Sequence, residues 1–153
     1  MSDPRRIRQR ILLDANLVIS YLLKREGSSD PIFNLFEMIF AQQVEVVLPE
    51  NLVTELREVT TTKPYLVRHV DPDLLDQTIN QIAELAVQLP LIVGDLPSVT
   101  GDSKDDYLIA AALLSDVDIL VSGDKHILAV RNLLERPRIM TPADFVAEFG
   151  AAS

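Results

Sequence analysis

The chain contains no cysteine, no tryptophan, only five glycines and only two histidines. Without cysteine there are no disulfides, no thiolate metal sites and no cysteine nucleophile. His69 and His126 are far apart and belong to no spaced ligand motif, which leaves a histidine zinc site without support. Ser20 and Ser122 lie near acids but have no paired histidine, so a nucleophilic triad is equally unsupported. The few glycines form neither a P-loop nor a dinucleotide fingerprint. Long apolar runs are missing too. The longest, around Leu108–Leu114, is far too short to span a bilayer. Arg5, Arg6, Arg8 and Arg10 run straight into a strand-like segment rather than a secretory hydrophobic region. A cytoplasmic protein with no membrane association is therefore expected.

Basic residues are scarce relative to acids, giving a formal net charge of −9. Proteins that grip nucleic acid usually carry a basic footprint that displaces counterions from phosphates. An acidic chain leaves three readings open: no nucleic-acid role, acids that hold metal ions which bring in the substrate, or a basic partner that covers them.

What is present suits one globular domain. The chain has 153 residues, 48% of them hydrophobic, enough to bury a core. Ile11-Leu12-Leu13 ends in Asp14 and reads as a buried strand, followed by a short helix from Asn16 to Leu23. Ile32, Leu35, Phe36, Ile39 and Phe40 recur at helical spacing. Val44 to Leu48 is a second strand, and Pro49 opens a helix carrying Leu52, Glu55 and Leu56. Asp71-Pro72 starts a helix predicted to carry Leu75 to Leu89 and end before Pro90, and Leu91-Ile92-Val93 is predicted as the third strand. A polar loop, Gly94 to Gly101, leads to Asp102-Ser103-Lys104-Asp105-Asp106 and an almost wholly apolar helix to Leu114. Ile119 to Ser122 and Arg138 to Met140 are the fourth and fifth strands, and Thr141-Pro142 caps a last helix. Alternating strands and helices, with strands that are continuous apolar runs, imply a mainly parallel sheet of about five strands flanked by helices on both faces.

In such folds ligands bind beyond the C-terminal strand ends, where strand order reverses. Acids gather at those ends: Asp14 after the first strand, Asp124 after the fourth, Asp102, Asp105 and Asp106 at the start of the apolar helix. Glu55 lies in the helix after the second strand. Clustered like charges cost stability unless a cation sits among them, and oxygen-only donors favour a hard divalent ion. Each acid also has an ordinary explanation. Asp102 serves as a helix N-cap with Asp105 as its box partner, Glu55 as a surface residue, and Asp124 as a turn residue. Asp14 and Asp106 are the hardest to explain that way, because apolar sequence surrounds both.

Leu12-Leu13-Asp14-Ala15-Asn16, Glu55 in Val53-Thr54-Glu55-Leu56, Asp105-Asp106-Tyr107-Leu108-Ile109-Ala110 and Leu120-Val121-Ser122-Gly123-Asp124 together resemble the four acidic motifs of PIN domains, in the family's order. Met140-Thr141-Pro142 is similar to the family's closing segment. The resemblance implies a three-layer, Rossmann-like PIN fold over residues 1–153, with residues 1–9 as a basic extension. It implies a divalent-metal-dependent endoribonuclease that cleaves single-stranded RNA with metal-activated water, similar to VapC toxins paired with a small cognate antitoxin. Asp14, Glu55, Asp106 and Asp124 would be the catalytic acids, and Asp14, Asp106 and Asp124 would hold Mg²⁺ or Mn²⁺. Asn16, Ser122, Asp105 and Asp102 would support them, with Asp105 and Asp106 alternatives for the third acid. A homodimer is compatible with this reading. A PIN fold that binds RNA or protein without cutting is the main rival. A haloacid-dehalogenase-like phosphatase fits less well, because its general acid would here be Asn16. A receiver-type domain would need a second acid at the first strand.

Overall fold

The computed structural model describes residues 8–24, 30–93 and 103–150, the side chains of 103–105 excepted. Its centre is one parallel sheet of five strands: β1 (Arg10–Leu13), β2 (Glu45–Pro49), β3 (Val87–Leu89), β4 (Ile119–Val121) and β5 (Arg138–Met140). Their order is β3-β2-β1-β4-β5. The chain winds outward from β1 first through β2 and β3, then crosses back to β4 and β5, so strand order reverses between β1 and β4.

Successive strand residues point to opposite faces, and here both faces are covered. Ile11, Leu13, Val46, Leu48, Ile119 and Val121 face one core. Helices α1 (Ala15–Leu23), α2 (Pro31–Phe40), α3 (Glu50–Thr62), α5 (Pro72–Leu85) and α8 (Pro142–Phe145) pack over it with Phe36, Leu52, Ile79 and Phe145. The intervening Leu12, Val47, Leu120 and Ile139 face a second core closed by α6 (Ser103–Leu114) and α7 (Lys125–Leu128). Burial on both faces explains why these strands are uninterrupted apolar runs in the sequence. Local chemistry sets the helix starts. Asp30, Asp71 and Thr141 each accept a hydrogen bond from a backbone N–H two or three residues on, and proline follows each of them.

Two expectations are corrected. The third strand is Val87–Leu89, not Leu91-Ile92-Val93, and α5 ends at Leu85 rather than carrying on to Leu89. β3 is an edge strand, so Val87 is 40% exposed and the segment lacks the apolar signature of its neighbours. Residues 91–93 are irregular, with Val93 78% exposed. Ile92 nonetheless pairs as a strand residue would, with a side chain in place of a strand. Its N–H donates to Asn51 Oδ1 at 2.9 Å, and its carbonyl accepts from Asn51 Nδ2 at 3.2 Å. Helix α4 (Pro64–His69) is an element the periodicity does not announce, because it buries no residue. Among the described residues no helix is long and apolar enough to cross a membrane.

Candidate active site

The reversal point between β1 and β4 is where Asp14 and Asp124 come together. Leu13 pairs with Val121, so the next residues of the two strands, Asp14 and Ser122, face each other across the gap. The Asp14 N–H donates to the Val121 carbonyl at 3.1 Å, and Ser122 N–H to Met140 at 2.9 Å, which ties the three strand ends together. The Ser122 hydroxyl, fully buried, donates to Asp14 Oδ2 at 2.8 Å. It also accepts the Asp124 N–H at 3.0 Å.

Asp14 has a second role as N-cap of α1, its Oδ1 accepting the Asn16 N–H at 3.1 Å. Asn16 therefore supports Asp14 through its backbone, while its exposed side chain helps line the cleft above. Asp124 is likewise an N-cap, its Oδ1 accepting from His126 N–H at 2.7 Å at the start of α7. The ordinary explanation for Asp124 is thus real, and it leaves the carboxylate at the rim. A cleft of about 310 Å³ opens there, lined by Asn16, Ser20, Gly123, Asp124 and Pro142 among others.

Asp14 is only 4% exposed. Burial pushes its carboxyl above the usual carboxylate range and the nearby charge of Asp124 pushes the same way, against the hydrogen bonds from Asn16 and Ser122. The fold thus holds a buried acid in one orientation, with each oxygen tied by one donor, next to a second acid. A carboxylate accepts about four hydrogen bonds or metal contacts in all, so Asp14 retains capacity for a cation.

The other two acids come from opposite layers. Asp106 lies one turn into α6 and is 4% exposed, a carboxyl buried where the helix turns apolar from Tyr107 to Leu114. Glu55, half-buried on α3, accepts a hydrogen bond at 2.9 Å from the hydroxyl of Tyr107, the residue after Asp106. Sequence reasoning missed Tyr107. Its signal was a single phenol in an aliphatic helix, a group that needs a polar partner when buried. Asp102 lies outside the described residues, and Asp105 belongs to α6 with its side chain outside them. Among the described residues no three His, Cys, Asp or Glu form a group able to hold a metal ion, so Asp14, Asp106 and Asp124 do not make such a group here.

The sequence pattern of the PIN domain matches residues 10–126, most of the chain. The chain belongs to the PIN-domain family. PIN domains are generally nucleases that use divalent metals, and the match spans Asp14, Glu55, Asp106 and Asp124. No curated protein matches the sequence. Among solved structures, the PIN fold seen here is similar to a chain in the crystal structure of VapBC2 from Rickettsia felis bound to a DNA fragment from its promoter. The TM-score is 0.51 at 10% identity, covering 87% of this chain and 97% of that one. An identity that low speaks to the fold alone.

Proposed function

We propose that this PIN domain, residues 1–153 with a basic extension over 1–9, is a divalent-metal-dependent endoribonuclease acting on single-stranded RNA, the toxin half of a pair whose other half is a small antitoxin. The observation that carries the nuclease reading is the buried, oriented Asp14 at the β1/β4 reversal, bonded to Ser122 and charge-coupled to Asp124. The likeness in fold to a VapBC2 chain supports the toxin reading.

The donor chemistry fits Mg²⁺ or Mn²⁺. Every candidate ligand is a carboxylate, and burial makes Asp14 costly to ionise unless positive charge is near. Mg²⁺ needs only one or two carboxylates, with waters and substrate phosphates completing its shell. Asp14, Asp124 and Asp106 would hold it. When bound, such an ion acidifies water and offsets the charge of a phosphodiester.

The chain's own residues do the rest. Ser122 fixes Asp14 and the backbone leading to Asp124 at once, so the two acids keep a set separation. Glu55, steadied by Tyr107, would orient or deprotonate water from the α3 side. The test is cleavage of a labelled single-stranded RNA by the parent and by Asp14→Asn, with Mn²⁺ and with EDTA. Cleavage by the parent that needs Mn²⁺ and that Asp14→Asn lacks supports the reading. Equal cleavage by both would show a contaminant or a different site, and no cleavage by the parent would favour a binding module.

A further inference from the structure

Most described lysine and arginine side chains are tied to carboxylates, as Arg10 is to Glu45, Arg57 to Asp76 and Arg138 to Glu148. Lys63, Arg68, Lys125 and Arg131 have no acidic partner among the described residues. Lys125 and Arg131 follow Asp124 in the chain, Lys125 as the first residue of α7. Lys63 and Arg68 are elsewhere, at either end of α4.

Helix α4 is an unusual element. It buries no residue, and only Leu66 on it reaches the main core. Tyr65, 61% exposed, lies one turn before His69, and their rings stack at 4.0 Å with an interplanar angle of 23°. The His69 Nδ1 is held 2.8 Å from the Tyr65 carbonyl, which fixes the ring over its own helix. Positions 65, 68 and 69 are spaced i, i+3 and i+4, so the ring pair and the Arg68 guanidinium share one face. On a chain of net charge −9, this is a solvent-facing aromatic stack flanked by cations that no internal acid neutralises.

Stacked aromatics beside unpaired cations are what single-stranded nucleic acid recognises: bases lie on the rings and phosphates meet the charges, without base-specific contacts. A folded protein partner would favour burying Tyr65 and Val67 without needing two free cations. We propose that the exposed face of α4, formed by Tyr65, Arg68 and His69 with Lys63 at its start, is a docking surface for single-stranded RNA. It rests on the RNA-cleaving reading and adds to it. Glu55 lies on α3, and the seven residues from it to Thr62 span about 10 Å of helix. A strand held on α4 would therefore enter the site from the Glu55 side.

The experiment is fluorescence anisotropy of a labelled oligouridylate with Asp14→Asn, which keeps the surface and removes a carboxylate that would hold the metal. Tyr65→Ala added to it should weaken binding about five-fold or more, the effect of one lost base stack. Arg68→Ala should reduce the slope of log affinity against log salt by about 0.7. Both changes are at exposed positions and should leave the melting temperature unchanged. Unaltered affinity and salt slope in both variants would overturn the proposal. So would a Tyr65→Ala change in oligomeric state on size exclusion with RNA affinity intact, which would assign the face to protein contact. If the RNA-cleaving reading itself fails, the parent will not cleave the RNA, whether or not it binds it. If only the docking surface fails, the parent will cleave and RNA affinity will persist in every α4 variant.

Discussion

Replacing Asp14 by Asn should stabilise the metal-free protein at neutral pH, although it removes the residue on which the proposed activity depends most. Asn is nearly isosteric and caps a helix as well as Asp does. Its Oδ1 can accept the Asn16 N–H, and its Nδ2 can donate to the Ser122 hydroxyl in place of the bond Asp14 now receives. What disappears is the cost of a buried charge beside Asp124. The sign follows from proton binding. The folded-state pKa of Asp14 lies above its unfolded value, so between the two the native chain holds more protons and stability falls as pH rises. Below that window parent and variant should be nearly equal. Above it the variant should be more stable by about 1.4 kcal/mol for each pH unit of the window. Each kcal/mol corresponds to roughly 2–4 °C in melting temperature for a chain of this size. Urea unfolding in EDTA from about pH 4 to neutrality measures the gap directly. Saturating Mn²⁺ should reverse the order, because only the parent gains the binding free energy of the ion. A gap that does not change with pH, or a parent that is more stable throughout, would refute the account of Asp14 as a charge held at a cost.

Ser122→Ala should act in the opposite sense. It strips a hydroxyl from a fully buried site, leaving Asp14 Oδ2 and the Asp124 N–H without that partner. A loss of about 1.5–3 kcal/mol in urea unfolding is expected for a hydrogen bond to a charged group, along with reduced cleavage. Tyr107→Phe removes the hydroxyl that donates to Glu55. It should cost about 1 kcal/mol of stability and lower the RNA cleavage rate with little change in RNA affinity. A rate equal to the parent's would remove Glu55 orientation from the mechanism.

The parts of the fold that were legible in the sequence are those buried on both sides. β1, β2, β4 and β5 announce themselves because a parallel strand under two helical layers has no polar face to show. β3 was misplaced for the converse reason. Val87 and Gln88 are exposed, unlike Ile139 and Met140 of the other edge strand, and the more apolar Leu91-Ile92-Val93 is held at Ile92 by the Asn51 side chain, a pairing across 41 residues that no local pattern reveals. Helix α4 went unread because periodicity reports burial and α4 buries nothing. Within the site, Asp14, Ser122 and Asp124 were readable from position alone, since strand ends in such a sheet converge. The Tyr107–Glu55 bond joins different layers across 52 residues and is a product of packing. Asn16 was singled out for its side chain, whereas the bond it makes to Asp14 is one that almost any residue's backbone could supply.

If the carboxylates at the β1/β4 reversal hold a divalent cation, the protein must take up that ion with them. Electron paramagnetic resonance of free Mn²⁺ tests it most directly, by titrating the ion into the parent, Asp14→Asn and Asp106→Asn with folding checked in the same samples. The parent should deplete the free-ion signal, and both variants should bind at least ten-fold more weakly, a loss of about 1.4 kcal/mol or more. Binding of equal strength in all three proteins would contradict it.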